Sequence, residues 1–289
     1  MEKIKKNPSK LNFSNPSFGY NKVEVSPKRK INSFDLLGNI AVVKFPREFS
    51  ERKKKIFAKN LLNEVKAIKT VIEKVGKIKG RLRKFDFKHL AGEKTSEVLY
   101  KENNCVFRFN LGTSYFSSRL SNERKEIALN IEKDNNVLVM FAGVGPYSIV
   151  IAKNSPAKKV FSNEINREAN KYFKLNMELN KVKDKIEFLP GDIKKIALKM
   201  KESKIKFDVI VMPRPQLKDS FLKEAFMLSM KGTKIFYYAF CGMDEISLVI
   251  EKIKQEAKNN KRKIKINQWK KAGEIAPYKI RLRVDFIVI

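Results

Sequence analysis

A chain of 289 residues, 43% of them hydrophobic, can bury the core of one α/β domain of ordinary size and of a smaller domain beside it. No stretch approaches the roughly 18 uninterrupted apolar residues of a membrane-spanning helix, and the charged N-terminus lacks the apolar segment of a secretory signal. We therefore expect a cytoplasmic protein with no membrane partner. We also expect it to be a monomer. The cysteines, Cys105 and Cys241, lie in separate segments, a spacing that fits neither a disulfide framework nor a metal site.

The charge balance points to a polyanionic partner. The chain has 63 lysines and arginines against 31 acidic residues, a net charge of +32. Nucleic acid is the first interpretation, and a membrane surface or a general enrichment in lysine are the alternatives. Residues 1–30 are rich in Lys, Asn, Ser and Pro and lack periodicity, which predicts a basic, flexible arm that either follows phosphates or takes no part in binding.

The next segment predicts a small α+β domain over residues 31–115. Residues 34–45 (FDLLGNIAVVKF) have the alternation of a strand, and residues 51–74 have apolar positions at helical spacing with lysines on the other face. Two strand-like runs follow, and Asn103-Asn104 between them predicts the turn of a hairpin.

From residue 116 to the end, short apolar strands alternate with helical runs. Residues 121–134 predict a helix capped by Ser121, and residues 167–182 and 217–232 predict two more helices. The strands are NVLVM, KKVFSNEI, KIEFLPGD, FDVIVMP and TKIFYYAFC, and the alternating RLRVDFIVI predicts a closing strand. This order predicts an α/β domain built on a mostly parallel, doubly wound sheet.

A glycine turn is the sharpest local motif of this domain. In VLVMFAGVGPYSIVIAK, an apolar strand leads into Gly143 and Gly145 and then into a helix, so backbone N–H groups can approach a ligand at the carboxyl edge of the sheet. A tight turn explains such a pair of glycines equally well. Two acids extend the pattern: Glu164 ends the next strand, where it can bind ribose hydroxyls, and Asp192 follows the third strand, where it can reach an adenine amine.

The segment before the glycine turn makes the pattern specific. MFAGVGP, the acid at the end of the second strand and the stretch FSSRLSNER (residues 116–124) together resemble the archaeal and eukaryotic tRNA (guanine-37-N1)-methyltransferases and their wybutosine-pathway relatives. The resemblance runs from about residue 34 to the end. Only the basic arm precedes it, so we expect this chain to lack the extra N-terminal domain that longer archaeal members carry. It implies a class I, Rossmann-like methyltransferase fold over residues 116–289, an RNA-binding role for the small domain, S-adenosylmethionine as cofactor and the tRNA anticodon stem-loop as partner.

The resemblance also assigns site residues. By similarity, Glu123 is the general base that takes the guanine N1 proton, Arg83 in GRLR neutralises charge on the guanine O6, and Tyr115 packs beside the base. This set suits the chemistry, because guanine N1 is a weak acid and methylation needs a base at N1 and a positive partner at O6. The other interpretation of Glu123 is a surface acid that stabilises a helix N-terminus.

The remaining assignments by similarity concern the cofactor and the RNA. Those for the cofactor are Arg124, Phe141, Ala142, Gly143, Gly145, Pro146, Glu164, Ile165, Asp192, Ile193 and Pro213. Those for the substrate are Arg119, Arg214 and Tyr278. No metal site is expected. His89 and the aromatic residues of IFYYAFC (235–241) are assigned to packing.

Three departures from the family pattern leave two alternatives open. Pro213-Arg214-Pro215 stands where the methyltransferases have Asn-Leu-Pro, and Val139 and Ser118 replace a family Asp and Pro. The loss of Asn-Leu-Pro favours transfer of the aminocarboxypropyl group to a tricyclic guanine derivative, whereas Glu123 and Arg83 favour methylation. A catalytically inactive RNA-binding relative is the other alternative.

Overall fold

The computed structural model describes residues 34–79, 84–213 and 218–289. The arm predicted over residues 1–30 lies outside these ranges, and so do Arg83 and Arg214. No helix in the described ranges is both long enough and apolar enough to cross a membrane.

The N-terminal part is a four-stranded sheet with one helix on it. Its strands follow the order β1-β2-β3-β4, with β2 and β3 parallel and the outer pairs antiparallel. The helix buries Phe57, Ala58 and Leu61 against Ala41 and Val71 of the sheet. The elements are β1 (Phe34–Leu37), β2 (Ile40–Val43), α1 (Glu51–Glu64), β3 (Thr70–Lys79) and β4 (Lys84–Gly92).

Two predicted elements of this part were wrong in extent. The strand predicted over residues 34–45 is a hairpin, which turns at Gly38. The helix predicted over residues 51–74 ends at Glu64, because residues 70–73 pair with β2 as a parallel strand. The apolar residues continue at intervals of three and four from the helix into this strand, so spacing alone could not mark the boundary.

A second hairpin connects the two parts of the molecule. It consists of β5 (Glu97–Glu102) and β6 (Cys105–Asn110). Asn103 and Asn104 have φ angles of 46° and 59°, which confirms the predicted turn, since the tight hairpin turn requires two residues with positive φ.

The C-terminal part is a seven-stranded sheet with helices on both faces. The strand order is β12-β13-β11-β10-β7-β8-β9; the five strands from β11 to β9 are parallel, and β13 is antiparallel to both of its neighbours. This arrangement confirms the predicted mostly parallel, doubly wound sheet. Its strands are β7 (Asn136–Met140), β8 (Lys159–Glu164), β9 (Ile186–Pro190), β10 (Phe207–Met212), β11 (Ser229–Gly242), β12 (Ile264–Ala276) and β13 (Lys279–Val288). Its helices are α2 (Ser121–Leu129), α3 (Pro146–Asn154), α4 (Arg167–Leu179), α5 (Ile193–Glu202), α6 (Leu222–Leu228) and α7 (Ile246–Asn259).

Three local predictions in this part need correction. The helix predicted over residues 217–232 is the shorter α6, because Ser229 already pairs with Phe207 in the sheet. The helix predicted over residues 121–134 is α2, which ends at Leu129. Ser121 is the first helical residue and not the cap of α2; its hydroxyl accepts a hydrogen bond from Asn103 instead.

One apolar core joins the small sheet, the hairpin and one face of the large sheet. Ile40 and Ile72 of the small sheet, Phe107 of the hairpin and Val139 and Tyr238 of the large sheet all belong to it and are buried. The predicted domain boundary after residue 115 stays a prediction.

An asparagine of α4 and the asparagine that caps its C-terminal end hold the outer edge of the hairpin. Asn176 accepts a hydrogen bond from the Arg108 amide (2.7 Å) and donates to the carbonyls of Arg108 and Val144 (3.0 Å each). Asn180, one turn later, makes the same pair of bonds with Val106 (2.8 and 2.6 Å). Since unpaired strand edges buried away from water are costly, these side chains take the place of a third strand.

We expect Asn176→Ala to lower the free energy of unfolding by about 3 kcal/mol, because buried backbone groups lose their partners. Denaturant unfolding of the whole chain measures this. Asn267→Ala, an exposed asparagine on β12, is the control and should change the midpoint little. Equal midpoints for both variants would contradict the assigned role of Asn176.

Candidate active site

A cleft opens at the carboxyl ends of the central parallel strands. Its free space, including the part open to solvent, is about 1070 Å³, and both aromatic and charged side chains line it. The predicted site residues on its walls are Tyr115, Arg124, Phe141, Ala142, Gly143, Pro146, Glu164, Ile165, Ile193 and Pro213.

The glycine turn shapes one wall of this cleft. Gly143 and Gly145 have φ angles of 59° and 92°, and Gly145 immediately precedes α3, whose first residue is Pro146. A Cβ atom on Gly145 would lie 2.3 Å from the Phe173 ring, whereas a Cβ atom on Gly143 would meet only the Tyr115 carbonyl, at 3.7 Å. Gly145 therefore lets the turn pack closely against α4, and Gly143 leaves the backbone of the turn accessible from the cleft.

Glu164 fixes the turn from the neighbouring strand. Its carboxylate is buried and accepts hydrogen bonds from the amides of Gly143 (2.8 Å) and Asn166 (2.7 Å). Asn163, the residue before it, accepts from the Ala142 amide through its backbone and donates to the carbonyls of Leu189 and Gly191. The carboxyl ends of three successive strands are thus bonded to one another around the cleft.

The second predicted acid has a different position. Asp192 caps α5, where its carboxylate accepts from the Lys194 amide (3.0 Å), and it is not among the described residues that line the cleft. Ile193, the next residue, lies on the cleft wall.

Glu123 lies in a buried cluster of charges behind the cleft wall. Its Oε2 accepts hydrogen bonds from the Tyr238 hydroxyl and from Nη1 of Arg283 (2.9 Å each), and its Oε1 lies 2.6 Å from Nζ of Lys270. The carboxylate is therefore held by two cations and a phenol, and it is not an acid at a solvated helix end. Glu123 itself is not among the described residues that line the cleft, but Tyr238 is.

Two further acids balance the cations of this cluster. Arg283, whose side chain is fully buried, also binds Asp285 through two hydrogen bonds (2.8 Å each) and Glu126 through one (2.6 Å). Glu126 is bonded to Lys270 as well. Burial acts to raise the pKa of Glu126, but hydrogen bonds from Lys270 and Arg283 outweigh it and lower that pKa.

Arg124, the residue after Glu123, forms a second buried ion pair. It binds both carboxylate oxygens of Glu102 and donates to the Ser117 carbonyl (3.0 Å). Its guanidinium also lies over the rings of Phe116 and Tyr147, 5.2 and 5.7 Å from their centroids. Arg124 thereby fixes the FSSRLSNER segment to the second hairpin and to the first turn of α3.

Tyr115 shares its wall of the cleft with an arginine that sequence reasoning missed. Nη2 of Arg281 donates to the Tyr115 hydroxyl (3.1 Å), and both residues line the cleft. Arg281, Arg283 and Asp285 alternate along the apolar strand β13 and so share one face of it. Three charges at every second position of a buried strand were a readable signal of an internal charged cluster, whereas the predicted role of this segment was only a closing strand.

Of the remaining substrate residues, the two that the structure describes, Arg119 and Tyr278, do not line the cleft. Arg119 is exposed and pairs with Asp35 (2.8 Å), and Tyr278 is 93% exposed at the turn between β12 and β13. Arg83 and Arg214 lie outside the described residues. Of the residues assigned to packing, His89 lies on β4 with Nε2 3.0 Å from the Glu93 carbonyl, and 235–241 form β11, from which Tyr238 reaches the cleft.

Comparison with known proteins identifies the family and the fold. Residues 98–266 match the family model described as the TRM5/TYW2 methyltransferase domain. The chain belongs to this family. Residues 24–95 match the TYW2 N-terminal domain, a range that contains all four strands of the small sheet. The family confirms the class I, S-adenosylmethionine-dependent fold that the sequence predicted.

Individual relatives cover most of the chain. The tRNA (guanine(37)-N(1))-methyltransferase Trm5b of Pyrococcus abyssi is 33% identical over 257 residues, which are 89% of this chain and 74% of that protein. Its crystal structure has a TM-score of 0.80 at 30% identity and covers 95% of this chain and 82% of that one. The complex of aTrm5 with tRNALeu has a TM-score of 0.76 at 27% identity, with 89% of this chain and 72% of that chain covered.

The residues of the cleft fit S-adenosylmethionine. Glu164 is a buried carboxylate on the cleft wall, suited to ribose hydroxyls, and Phe141, Ile165 and Ile193 offer apolar surface to an adenine ring. Gly143 leaves its backbone accessible beside them. When bound there, S-adenosylmethionine supplies an electrophilic methyl group.

We expect Gly145→Ala to weaken S-adenosylmethionine binding and to lower the free energy of unfolding by about 3 kcal/mol or more, because the methyl group overlaps Phe173. Gly232→Ala is the matched control: Gly232 has nearly the same φ, 91°, and open space around it, so it tests backbone strain alone, about 1 kcal/mol. Calorimetric titration and denaturant unfolding measure both quantities. Equal affinities in the two variants would show that the contact with Phe173 does not shape the cleft.

Proposed function

We propose that this protein transfers the methyl group of S-adenosylmethionine to N1 of guanine 37 in tRNA, beside the anticodon. The observation that carries the proposal is the similarity of nine-tenths of the chain to a tRNA (guanine(37)-N(1))-methyltransferase. The cleft supplies what the reaction needs, namely a cofactor site beside a buried carboxylate network.

The polar residues of the cleft are divided between the two halves of the reaction. On one side, Glu164 and the glycine turn hold the cofactor. On the other side, Tyr115 and Arg281 form a polar wall for the guanine, and Glu123 behind Tyr238 is the acceptor of the N1 proton. Arg83 is the predicted partner of O6.

We infer that the partner is the anticodon stem-loop of tRNA. A net charge of +32 favours a polyanion, and the aTrm5 structure with tRNALeu is a relative that contains such a partner. A stacked base must leave its loop to reach the cleft, so a positive surface that holds the surrounding phosphates is required. We propose that the enzyme acts in the cytoplasm as a monomer.

A second candidate function is transfer of the aminocarboxypropyl group of the same cofactor to a tricyclic guanine derivative. The specific observation in its favour is the match of residues 24–95 to the TYW2 N-terminal domain, together with Pro213 in place of the family asparagine. Retention of Glu123 favours methylation.

An assay with two labels separates these functions. Either unmodified tRNA transcript or tRNA that carries the tricyclic guanine derivative is incubated with S-adenosylmethionine labelled in the methyl group or in the aminocarboxypropyl group. We expect methyl label that disappears when guanine 37 is replaced by adenine. Methyl label elsewhere in the RNA would contradict the site, aminocarboxypropyl label would favour the second candidate, and salt-sensitive RNA binding without label would indicate an inactive relative.

We expect Glu123→Gln to slow methyl transfer by about 100-fold or more while the affinity for S-adenosylmethionine changes little, because the amide cannot accept the N1 proton. Glu126→Gln, one turn along α2, is the matched control. It removes a charge from the same cluster but keeps the contact between Tyr238 and Glu123, so its rate should fall far less. Single-turnover rates measure both, and equal effects would remove Glu123 from the role of base.

A further inference from the structure

Tyr238 lies between the cleft and the buried carboxylate. Its hydroxyl donates to Oε2 of Glu123 at 2.9 Å, and its side chain, 1% exposed, is part of the cleft wall. The ring packs edge-on against Tyr147, with centroids 6.0 Å apart, so neighbours on the wall fix its orientation.

Glu123, in contrast, is held behind the Tyr238 hydroxyl and does not line the cleft. Arg283 from β13 and Lys270 from β12 bind its two oxygens at 2.9 and 2.6 Å. To touch a base in the cleft directly, the carboxylate would have to leave both cations, and Arg283 is fully buried. Leaving a buried cation without one of its carboxylates is costly.

We propose that Tyr238 is a catalytic residue that relays the guanine N1 proton from the cleft to Glu123. This inference rests on the proposed function, because it needs an N–H group of the substrate to lose its proton during transfer. It differs from the family-based assignment, in which Glu123 receives the proton directly.

The relay conserves protons and electrons. N1 gives its proton to Oη of Tyr238 while the Tyr238 O–H proton passes to Oε2 of Glu123. The electron pair left on N1 forms the bond to the methyl carbon as the carbon–sulfur bond breaks, and the electrons of that bond stay on sulfur in S-adenosylhomocysteine. The phenol is unchanged at the end, and the neutral carboxylic acid of Glu123 holds the proton.

The surroundings suit both ends of the relay. Burial, reinforced by the charge of Glu123, raises the pKa of Tyr238 far above its usual value, so the hydroxyl keeps a proton and can give it up only as it receives another. When Glu123 becomes neutral, Arg283 still has Asp285 and Glu126 as partners. Protonation therefore costs less than displacement of Glu123, because the neutral carboxylic acid stays beside Arg283 and two anions still balance the buried cation.

Tyr238→Phe tests the relay, and Tyr237→Phe is its control. Tyr237 is the preceding residue on β11, is also buried, and belongs to the core on the opposite face of the sheet. Single-turnover methyl transfer to transcript containing guanine 37 is measured at saturating cofactor, with equilibrium binding of S-adenosylmethionine and tRNA measured in parallel. We expect Tyr238→Phe to slow transfer by about 100-fold or more, Tyr237→Phe to keep the wild-type rate, and both variants to keep both affinities.

The wild-type enzyme provides an independent measurement. Its rate in mixtures of light and heavy water should curve with deuterium content, because two protons move in one step, whereas direct transfer to Glu123 moves one and gives a straight line. A straight line, or wild-type transfer by Tyr238→Phe, would overturn the relay and leave the proposed function intact. A wild-type enzyme that transfers no methyl group to guanine 37 would overturn both.

Discussion

The ion pairs of the buried Arg283 guanidinium are the interactions on which the candidate active site depends. A fully buried cation is stable only with closely placed anions, and Arg283 has three of them, Glu123, Glu126 and Asp285. The first two lie on α2 and the third on β13 itself. Because α2 begins within the FSSRLSNER segment, this cluster fixes the segment against the antiparallel side of the large sheet, and the Arg124–Glu102 pair fixes it against the hairpin. Two adjacent residues thus take part in two separate ion pairs: Glu123 pairs with Arg283 of the large sheet, and Arg124 pairs with Glu102 of the hairpin.

The cofactor side of the cleft depends on backbone hydrogen bonds instead. Glu164 and Asn163 connect the ends of β7, β8 and β9, and the glycine turn adopts its left-handed angles within this frame. Asn176 extends the frame, since one side chain binds both the hairpin edge and the Val144 carbonyl inside the turn. The proposed cofactor wall is therefore held by hydrogen bonds between neighbouring strand ends, whereas the proposed substrate wall is held by charge pairing across distant strands.

The sequence predicted the features that local chemistry determines. Three such features are the glycine turn, the acid at the end of β8 and the Asn103-Asn104 turn. Each needs particular residues at particular positions, so a short sequence motif is enough to predict it. The alternating charges of β13 indicated a charged cluster, but its full membership could not be predicted, because strand pairing and the packing of α2 bring its other members together only in the folded chain. Tyr238 illustrates this limit: in the run IFYYAFC it resembles its neighbours, and only the sheet face distinguishes it from Tyr237. The end of α1 failed for another reason, since apolar spacing continued unbroken into β3.

The core shared by the small sheet and the large sheet has a mechanical consequence. Ile40, Ile72, Phe107 and Val139 pack within one apolar cluster, so separating the two sheets would expose buried surface to water. Within the described residues, this burial opposes a hinge motion that would separate the two sheets. We therefore expect the loop of the RNA, more than the two sheets, to deform when the base is delivered to the cleft. Loops that unstack easily would be modified faster than stiff ones, and selectivity among RNAs would partly reflect their flexibility.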